Sequence, residues 1–281
     1  MRILITGAHG MLGTDLISAL QLEHDLIGVD IDDFDIADAN QTLLAIKSIK
    51  PQIVVHAAAY TAVDQCENEE EKAFRVNRNG SGNVAEACQK IGSKMIYYSS
   101  DYIFDGDTDQ PYTENSAPNP LSVYGQSKLE GEIQVQKYLP KDHLIIRTSW
   151  LFGINGKNFV DTIITLTNQK SKLQIIDDQT GSPTFTADLA EATRHAIGKN
   201  FKGIINITNS GETTWYGFAT HFLKFTRPDF PIEPVKSIQY PLPAQRPKYS
   251  VLSNQKWLDL TGALLPNWRD AVDRYISLRQ S

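Results

Sequence analysis

The sequence predicts an α/β chain: a doubly wound parallel sheet with a smaller C-terminal α+β lobe for substrate. Three observations carry that expectation. Short apolar runs alternate with stretches of helical periodicity from the first residue onward. A glycine turn, holding Gly7, Gly10 and Gly13, joins the first apolar run to the first helical stretch. After about Trp150 the character changes, and prolines gather in residues 228–247.

In chain order, residues 2–6 read as a buried strand, followed by a helix with Leu12, Leu16 and Leu20 on one face. Residues 25–30 form the next apolar run, and 52–58 another after Pro51. A single long, polar-rich helix is expected over about 69–91. Strands follow at 94–100, with Ile96, Tyr97 and Tyr98, and at 143–148. Alternation of this kind implies a parallel sheet covered on both faces. Strand-like pieces remain near 173–176 and 203–207. Residues 268–279 close the chain as an amphipathic helix with Trp268, Ala271, Val272, Tyr275 and Ile276 on one face. The expected division is a dinucleotide-binding domain over 1–150 and, over 151–281, a mainly substrate-binding lobe partly interleaved with it. A ligand belongs in the crevice between them, at the C-terminal strand ends.

Hydrophobic residues make up 41% of the 281 and charged residues 21%, enough for a substantial core. The net charge of −6, with no long run of Lys or Arg, disfavours nucleic acid and anionic membrane as partners. An anionic ligand would be held by local groups instead: backbone N–H clusters, helix N-termini or single cationic side chains. Cys66 and Cys88 stand apart, with no CxxC or zinc-like grouping, which favours a reduced, cytoplasmic compartment. Met1-Arg2 runs directly into Ile3-Leu4-Ile5, too short a run for a signal segment, and no stretch approaches the roughly 20 apolar residues of a membrane span.

The three glycines sit in Thr6-Gly7-Ala8-His9-Gly10-Met11-Leu12-Gly13, between a strand and a helix, the context a dinucleotide turn requires. One permits the tight turn, a second admits a pyrophosphate close to the backbone, and a third lets helix and strand pack. The diphosphate then rests on the helix N-terminus. A bare turn would use glycines too; their place in the first strand–helix unit favours the cofactor. Asp30, 17 residues after Gly13, ends the second strand, where an acid can accept from ribose hydroxyls. It also belongs to an acidic stretch with Asp32, Asp33 and Asp35, so a strand-end turn is the plain alternative. An acid here would repel a 2′-phosphate and favour NADH over NADPH, with His9 a partial offset.

Tyr124-Gly125-Gln126-Ser127-Lys128 begins a helix, and the i, i+4 spacing puts Tyr124 and Lys128 on one face. A free phenol, with a pKa of about 10, is a poor acid–base group at neutral pH. A nearby ammonium and an oxidised nicotinamide would lower that value, and the lysine can also hold the nicotinamide ribose. YxxxK alone usually marks an exposed helix face. Here it follows by 24 residues a strand ending in Ser99-Ser100, in a chain with a glycine fingerprint, which favours catalysis. The Ser100 hydroxyl could orient a carbonyl or simply satisfy a turn. Together Ser100, Tyr124 and Lys128 can hold a carbonyl, protonate its oxygen and position a hydride donor. No cluster has metal-ligand spacing, and no metal is expected.

With these residues in view, the chain resembles the extended short-chain dehydrogenase/reductase superfamily and, more narrowly, the dTDP-4-dehydrorhamnose reductases. The resemblance runs nearly end to end. It covers the evenly spaced glycine turn, His56-Ala57-Ala58-Ala59-Tyr60-Thr61-Ala62-Val63-Asp64, Tyr98-Ser99-Ser100-Asp101-Tyr102-Ile103-Phe104, and Val123-Tyr124-Gly125 with Lys128. Later segments are Arg147-Thr148-Ser149-Trp150, Asp178-Gln179-Thr180-Gly181-Ser182-Pro183-Thr184, Thr213-Thr214-Trp215 and Arg246-Pro247. It implies a Rossmann sheet and NADH or NADPH as cofactor. It implies that Gly10, Met11, Leu12, Asp30, Asp35, Ile36, Ala59, Tyr60, Thr61 and Tyr98 line the dinucleotide, beside Gly7, Gly13, Tyr124 and Lys128. Ser100, Asp101 and Trp150 would meet the sugar, with Gln179 and Arg246 near the nucleotide end. The partner implied is a nucleotide-sugar substrate, acted on by a monomer or weak homodimer. One departure is Ser100 where the family usually has Thr: the hydroxyl survives and a methyl is lost. The acids linked with metal-bridged dimers in some relatives are not matched, since Ala187 falls where a partner to Asp15 would stand.

Other functions compete. A related epimerase or dehydratase recycles its dinucleotide, but dehydratases carry Asp-Glu after the strand-end hydroxyl, and here Ser100 precedes Asp101-Tyr102. A non-catalytic regulatory subunit is the alternative from another class, disfavoured by intact Ser100, Tyr124 and Lys128. Trp150 and Trp215 would bury well as core residues. The flanking motif, and the turn that Gly153 and Gly156 make beyond it, instead bring Trp150 to the carboxyl edge of the sheet; Trp215 is read as core. Cys66 has no feature of a nucleophile, and Glu67 to Glu71 read as a solvated helix start.

Overall fold

The structure, a computed structural model, describes residues 1–280. The chain opens with β1 (Arg2–Thr6), α1 (Met11–Leu20), β2 (Asp25–Val29), α2 (Ala39–Ile49) and β3 (Ile53–His56). The short helices α3 (Val63–Cys66) and α4 (Glu70–Phe74) follow. The helix expected as continuous over 69–91 is interrupted here. Residues Arg75–Gly80 widen into a π turn before α5 (Ser81–Ile91) resumes the ordinary pitch. Tertiary contacts account for the break. Asn77 Nδ2 donates to the Tyr60 carbonyl at 3.0 Å and to Ser127 Oγ at 2.9 Å, and its Oδ1 accepts from the Tyr60 N–H at 2.8 Å. The wider turn is the form in which Asn77 makes these contacts, and such turns often mark functional regions.

Next come β4 (Lys94–Ser100), α6 (Val123–Tyr138), β5 (His143–Thr148), β6 (Leu151–Phe152) and α7 (Phe159–Thr167). The chain continues through β7 (Leu173–Ile176), β8 (Thr180–Gly181), β9 (Thr184–Phe185), α8 (Thr186–Lys199) and β10 (Gly203–Asn206). It ends with β11 (Thr213–Thr214), α9 (Trp215–Thr226), β12 (Ile232–Val235), α10 (Gln255–Thr261) and α11 (Trp268–Gln280).

Six parallel strands form the main sheet in the order β10-β5-β4-β3-β1-β2. The α/β doubly wound reading therefore holds. Strands β3 and β5 are buried at every position, as a sheet covered on both faces requires. On one face, Ile3, Ile5, Val55 and Ile146 pack against Leu12 and Leu16 of α1 and Leu189 of α8. On the other, Leu4, Val54, Tyr97 and Ile145 meet Val84 and Cys88 of α5 and Val135 of α6. β10 belongs to this sheet although it lies far along the chain, so the segment after Trp150 leaves the sheet and returns to it.

A third core is largely aromatic. It gathers Phe152, Phe185, Phe218, Phe222, Trp268 and Tyr275, and the face expected of α11 is fully buried in it. The piece near 173–176, β7, pairs in parallel with β12 in a separate two-stranded sheet. The order of the main sheet reverses between β1 and β3, and ligand crevices in such sheets open at that switch, beyond the carboxyl ends of the strands.

Candidate active site

A cavity of about 1000 Å³ opens at those carboxyl ends. Its floor is the turn after β1. Gly7 takes a left-handed φ of +72°, and a Cβ there would stand 2.6 Å from the Ala58 backbone nitrogen. A Cβ on Gly13 would stand 2.1 Å from the Gly7 carbonyl oxygen. Only glycine fits either place, which leaves a bare backbone cradle at the start of α1. Gly10 caps that helix without a side-chain hydrogen bond, and no acid stands in the first turn. An anion suits such a terminus.

Around the cradle the cavity wall holds Gly7, Gly10, Met11, Leu12, Gly13, Asp30, Asp35, Ile36, Ala59, Tyr60, Thr61 and Tyr98, every residue expected to face a dinucleotide. The Asp30 carboxylate accepts from the N–H of His9 at 2.9 Å and of Ile31 at 2.8 Å. It ties the glycine turn to β2 and retains free lone pairs for a ligand hydroxyl. Asp35 pairs with Arg75 at 2.9 Å, and both line the same cavity.

Ser100, Tyr124 and Lys128 meet in the cavity wall as well. Ser100 ends β4. Its Oγ accepts from the Tyr102 N–H and donates to Asp101 Oδ1, each at 3.1 Å, so it caps the next turn while facing the cavity. The Tyr124 phenol lies near Ser100, with the Tyr102 ring edge-on to it at 5.9 Å. Burial pushes Tyr124 well above the ordinary phenol value, and the Asp101 charge adds to the rise. Burial thus acts against the lowering expected of a nearby ammonium and an oxidised nicotinamide together. Lys128 Nζ lies instead over the Tyr97 ring, 4.2 Å from its centroid, and burial pushes the amine itself down to about 7 against the pull of Glu132. Desolvation is the largest influence on both groups.

The helix bearing Tyr124 is fixed at both ends of the motif. Ser122 caps α6 through the Gly125 N–H at 3.2 Å, and Glu67 accepts from the Val123 N–H at 2.9 Å. Glu67, read as a solvated helix start, thus holds α6 by its first turn. One turn beyond Lys128, Glu132 takes both arms of Arg147 at 2.9 and 2.8 Å, with both side chains at most 3% exposed. This bidentate pair pins α6 to β5. His56 is a support too: Thr6 bonds its Nδ1 at 2.7 Å and Ser81 its Nε2 at 3.2 Å, and burial, with Lys128 nearby, pushes it down to about 3.

On the far wall Trp150 lies flat against Trp215, 3.5 Å between centroids and 4° from parallel. Both line the cavity, so Trp215 is not simply the core residue expected. It reaches the cavity because it opens α9, capped by Thr214 through the Gly217 N–H. Trp150 has a left-handed φ of +47°, rare for a bulky residue. Gly181 packs against its indole; a Cβ there would stand 2.5 Å from Cε2. Asp101 completes this side. It is 2% exposed, its Oδ2 has no hydrogen-bond partner among the described residues, and burial pushes its carboxyl up to about 7.

Residues 1–280 match the family described as "RmlD substrate binding domain". A dTDP-4-dehydrorhamnose reductase of Burkholderia thailandensis is 36% identical over 97% of this chain and 97% of its own length. The chain belongs to the dTDP-4-dehydrorhamnose reductase family. As a member it is an oxidoreductase. The solved dTDP-4-dehydrorhamnose reductase of Clostridium acetobutylicum superposes with a TM-score of 0.96 at 38% identity, covering 100% of both chains. That of Bacillus anthracis, solved in complex with NADP, gives 0.94 at 37% identity over 98% of each.

Two residues that the family resemblance assigned to the substrate lie outside the cavity wall. Gln179 is buried beside β8. Arg246 grips Asp64 with both arms, at 2.9 and 2.8 Å, and stands beside Tyr102, which does line the cavity. Wall residues that sequence reasoning did not single out include Phe34, Arg75, Lys157 and Phe159. Among the described residues no three His, Cys, Asp or Glu side chains are grouped to hold a metal ion, and no helix is long and apolar enough to cross a membrane.

Proposed function

We propose that this chain reduces the 4-keto group of dTDP-4-dehydro-L-rhamnose to give dTDP-L-rhamnose, using NADH or NADPH. The observation that carries this reading is the meeting of Ser100, Tyr124 and Lys128 in one cavity wall with the backbone cradle of Gly7, Gly10 and Gly13. In this account residues 1–150 hold the dinucleotide and 151–281 supply most of the sugar-nucleotide lobe.

The reduced dinucleotide supplies the hydride when bound. Tyr124 donates its proton to the keto oxygen, which becomes the hydroxyl of the product. Burial keeps that phenol protonated throughout the neutral range, the state a reduction needs at its start. Ser100 turns its hydroxyl proton from Asp101 to the same oxygen and fixes its direction, since its Oγ is held by the Tyr102 N–H. Lys128 stands one helical turn from Tyr124, and as an ammonium it would stabilise the phenolate left behind and hold a ribose hydroxyl. Asp101, with an unpaired oxygen, accepts from a sugar hydroxyl. Trp150 presents its indole edge to the sugar, because Trp215 and Gly181 pack against its ring.

The sugar assignment is tested by kcat/KM on purified ketosugar nucleotides. The 4-dehydro-L-rhamnose nucleotide, made by an upstream dehydratase and epimerase, should exceed its D-series precursor by about tenfold or more. Equal or reversed values would give the site to another 4-keto-6-deoxysugar.

A further inference from the structure

Resting on that reading, we infer that Lys157 is a diphosphate-binding residue, placed to meet an anion seated on the first turn of α1. Four Lys or Arg side chains line the cavity: Lys72, Arg75, Lys128 and Lys157. Three are engaged. Lys72 pairs with Glu69 at 2.8 Å, Arg75 pairs with Asp35 at 2.9 Å, and Lys128 is buried over the Tyr97 ring. Lys157, an exposed side chain, alone among them has no hydrogen-bond, ion-pair or ring partner among the described residues.

Its backbone is nevertheless fixed. Asn158, the next residue, is buried and caps α7 by accepting from the Asp161 N–H at 3.0 Å. Its Nδ2 donates to the carbonyls of Gly153 at 2.9 Å and Gly156 at 3.3 Å, which closes the loop from 153 to 158 on itself. That loop is pressed onto α1: a Cβ on either Gly153 or Gly156 would stand 3.0 Å from the Met11 side chain. Met11 is the first residue of α1, whose cap carries no side-chain bond and whose first turn carries no acid. An anchored free lysine and the positive end of a ten-residue helix therefore share one stretch of wall, in a chain of net charge −6. The arrangement is complete when a ligand brings the negative charge.

The compact ammonium suits a diphosphate oxygen rather than a planar carboxylate fork. Two diphosphates could occupy this wall, that of the dinucleotide and that of the sugar nucleotide. Isothermal titration of NADH, and separately of dTDP, into wild type, Lys157→Gln and Lys157→Arg tells them apart. Lys157→Gln should lose affinity about tenfold for one of the two, as expected for a charge-assisted contact, and the ligand that loses identifies the diphosphate. Lys157→Arg should keep most of that affinity, and raising the salt should shrink the difference between Gln variant and wild type. Affinities for both ligands within about twofold of wild type in Lys157→Gln would overturn the inference. Equal losses for both together with a lowered Tm would overturn it too, since the loop rather than the charge would have failed. A wild type that bound neither ligand would overturn the functional reading itself, and the inference with it.

Discussion

Trp150 holds a left-handed backbone while its indole lies parallel to that of Trp215, 3.5 Å away. Such a conformation costs a bulky residue on the order of 1–3 kcal/mol and persists where surrounding contacts over-determine it. The stack supplies about 0.5–1.5 kcal/mol beyond its area burial. Trp215→Ala should therefore release Trp150 without touching the chemistry: KM for the ketosugar nucleotide should rise several-fold, while NADH affinity changes little. Trp150→Gly should lose the same binding yet melt no lower than Trp150→Ala, because glycine relieves the backbone strain. A Trp215→Ala enzyme with wild-type KM would separate the stack from substrate binding.

Tyr124→Phe should lower kcat by several orders of magnitude and leave NADH affinity almost intact, since only the proton donor is removed. Lys128→Ala should damage both turnover and NADH binding. Titration showing unchanged NADH affinity in that variant would remove the ribose-holding role.

Asp101 gives a pH signature with a definite sign. Its carboxyl rises from 3.8 to about 7 on folding, so the folded state holds the proton more tightly. The stability it contributes is full below about pH 4 and is lost as pH rises through about 7. Asp101→Asn keeps a neutral group of the same shape. Its Tm relative to wild type should therefore be higher at pH 8 than at pH 5. A Tm difference that does not move between those two pH values would place the proton elsewhere.

Much of this was legible in the sequence, for local reasons. The strands β1, β3, β4 and β5 are continuous apolar runs because both faces of the sheet are covered. The glycine turn is legible because a Cβ at Gly7 or Gly13 would enter neighbouring backbone. What was not legible depends on distant partners. The π turn at 75–80 answers to Asn77 contacts with Tyr60 and Ser127, 17 and 50 residues away, which no helical period encodes. Glu67 looked like any first-turn acid until folding brought it 2.9 Å from the Val123 N–H. Lys157 carries no motif; its interest lies in how the other three Lys and Arg side chains of the wall are engaged, two by carboxylates and one by a ring. The burial of Tyr124 and Lys128, which acts against the lowering expected of the phenol, comes from packing that their spacing does not show.

For the cofactor, Asp30 lines the wall with its carboxylate already held by two backbone amides, and Arg75 is tied to Asp35. A 2′-phosphate would meet that charge directly. NADH should be used at least as well as NADPH, and Asp30→Asn should shift preference toward NADPH. A kcat/KM for NADPH about tenfold or more above that for NADH in wild type would contradict this placement of charge.

The central claim is that this cavity performs net reduction, rather than recycling its dinucleotide or serving without catalysis. The most direct measurement is stoichiometry: NADH oxidised against sugar alcohol formed, with dTDP-4-dehydro-L-rhamnose and purified wild-type protein. The account predicts one NADH consumed for each keto group reduced, abolished in Tyr124→Phe. Conversion of the sugar without net NADH oxidation, or binding of both ligands with no turnover, would contradict it.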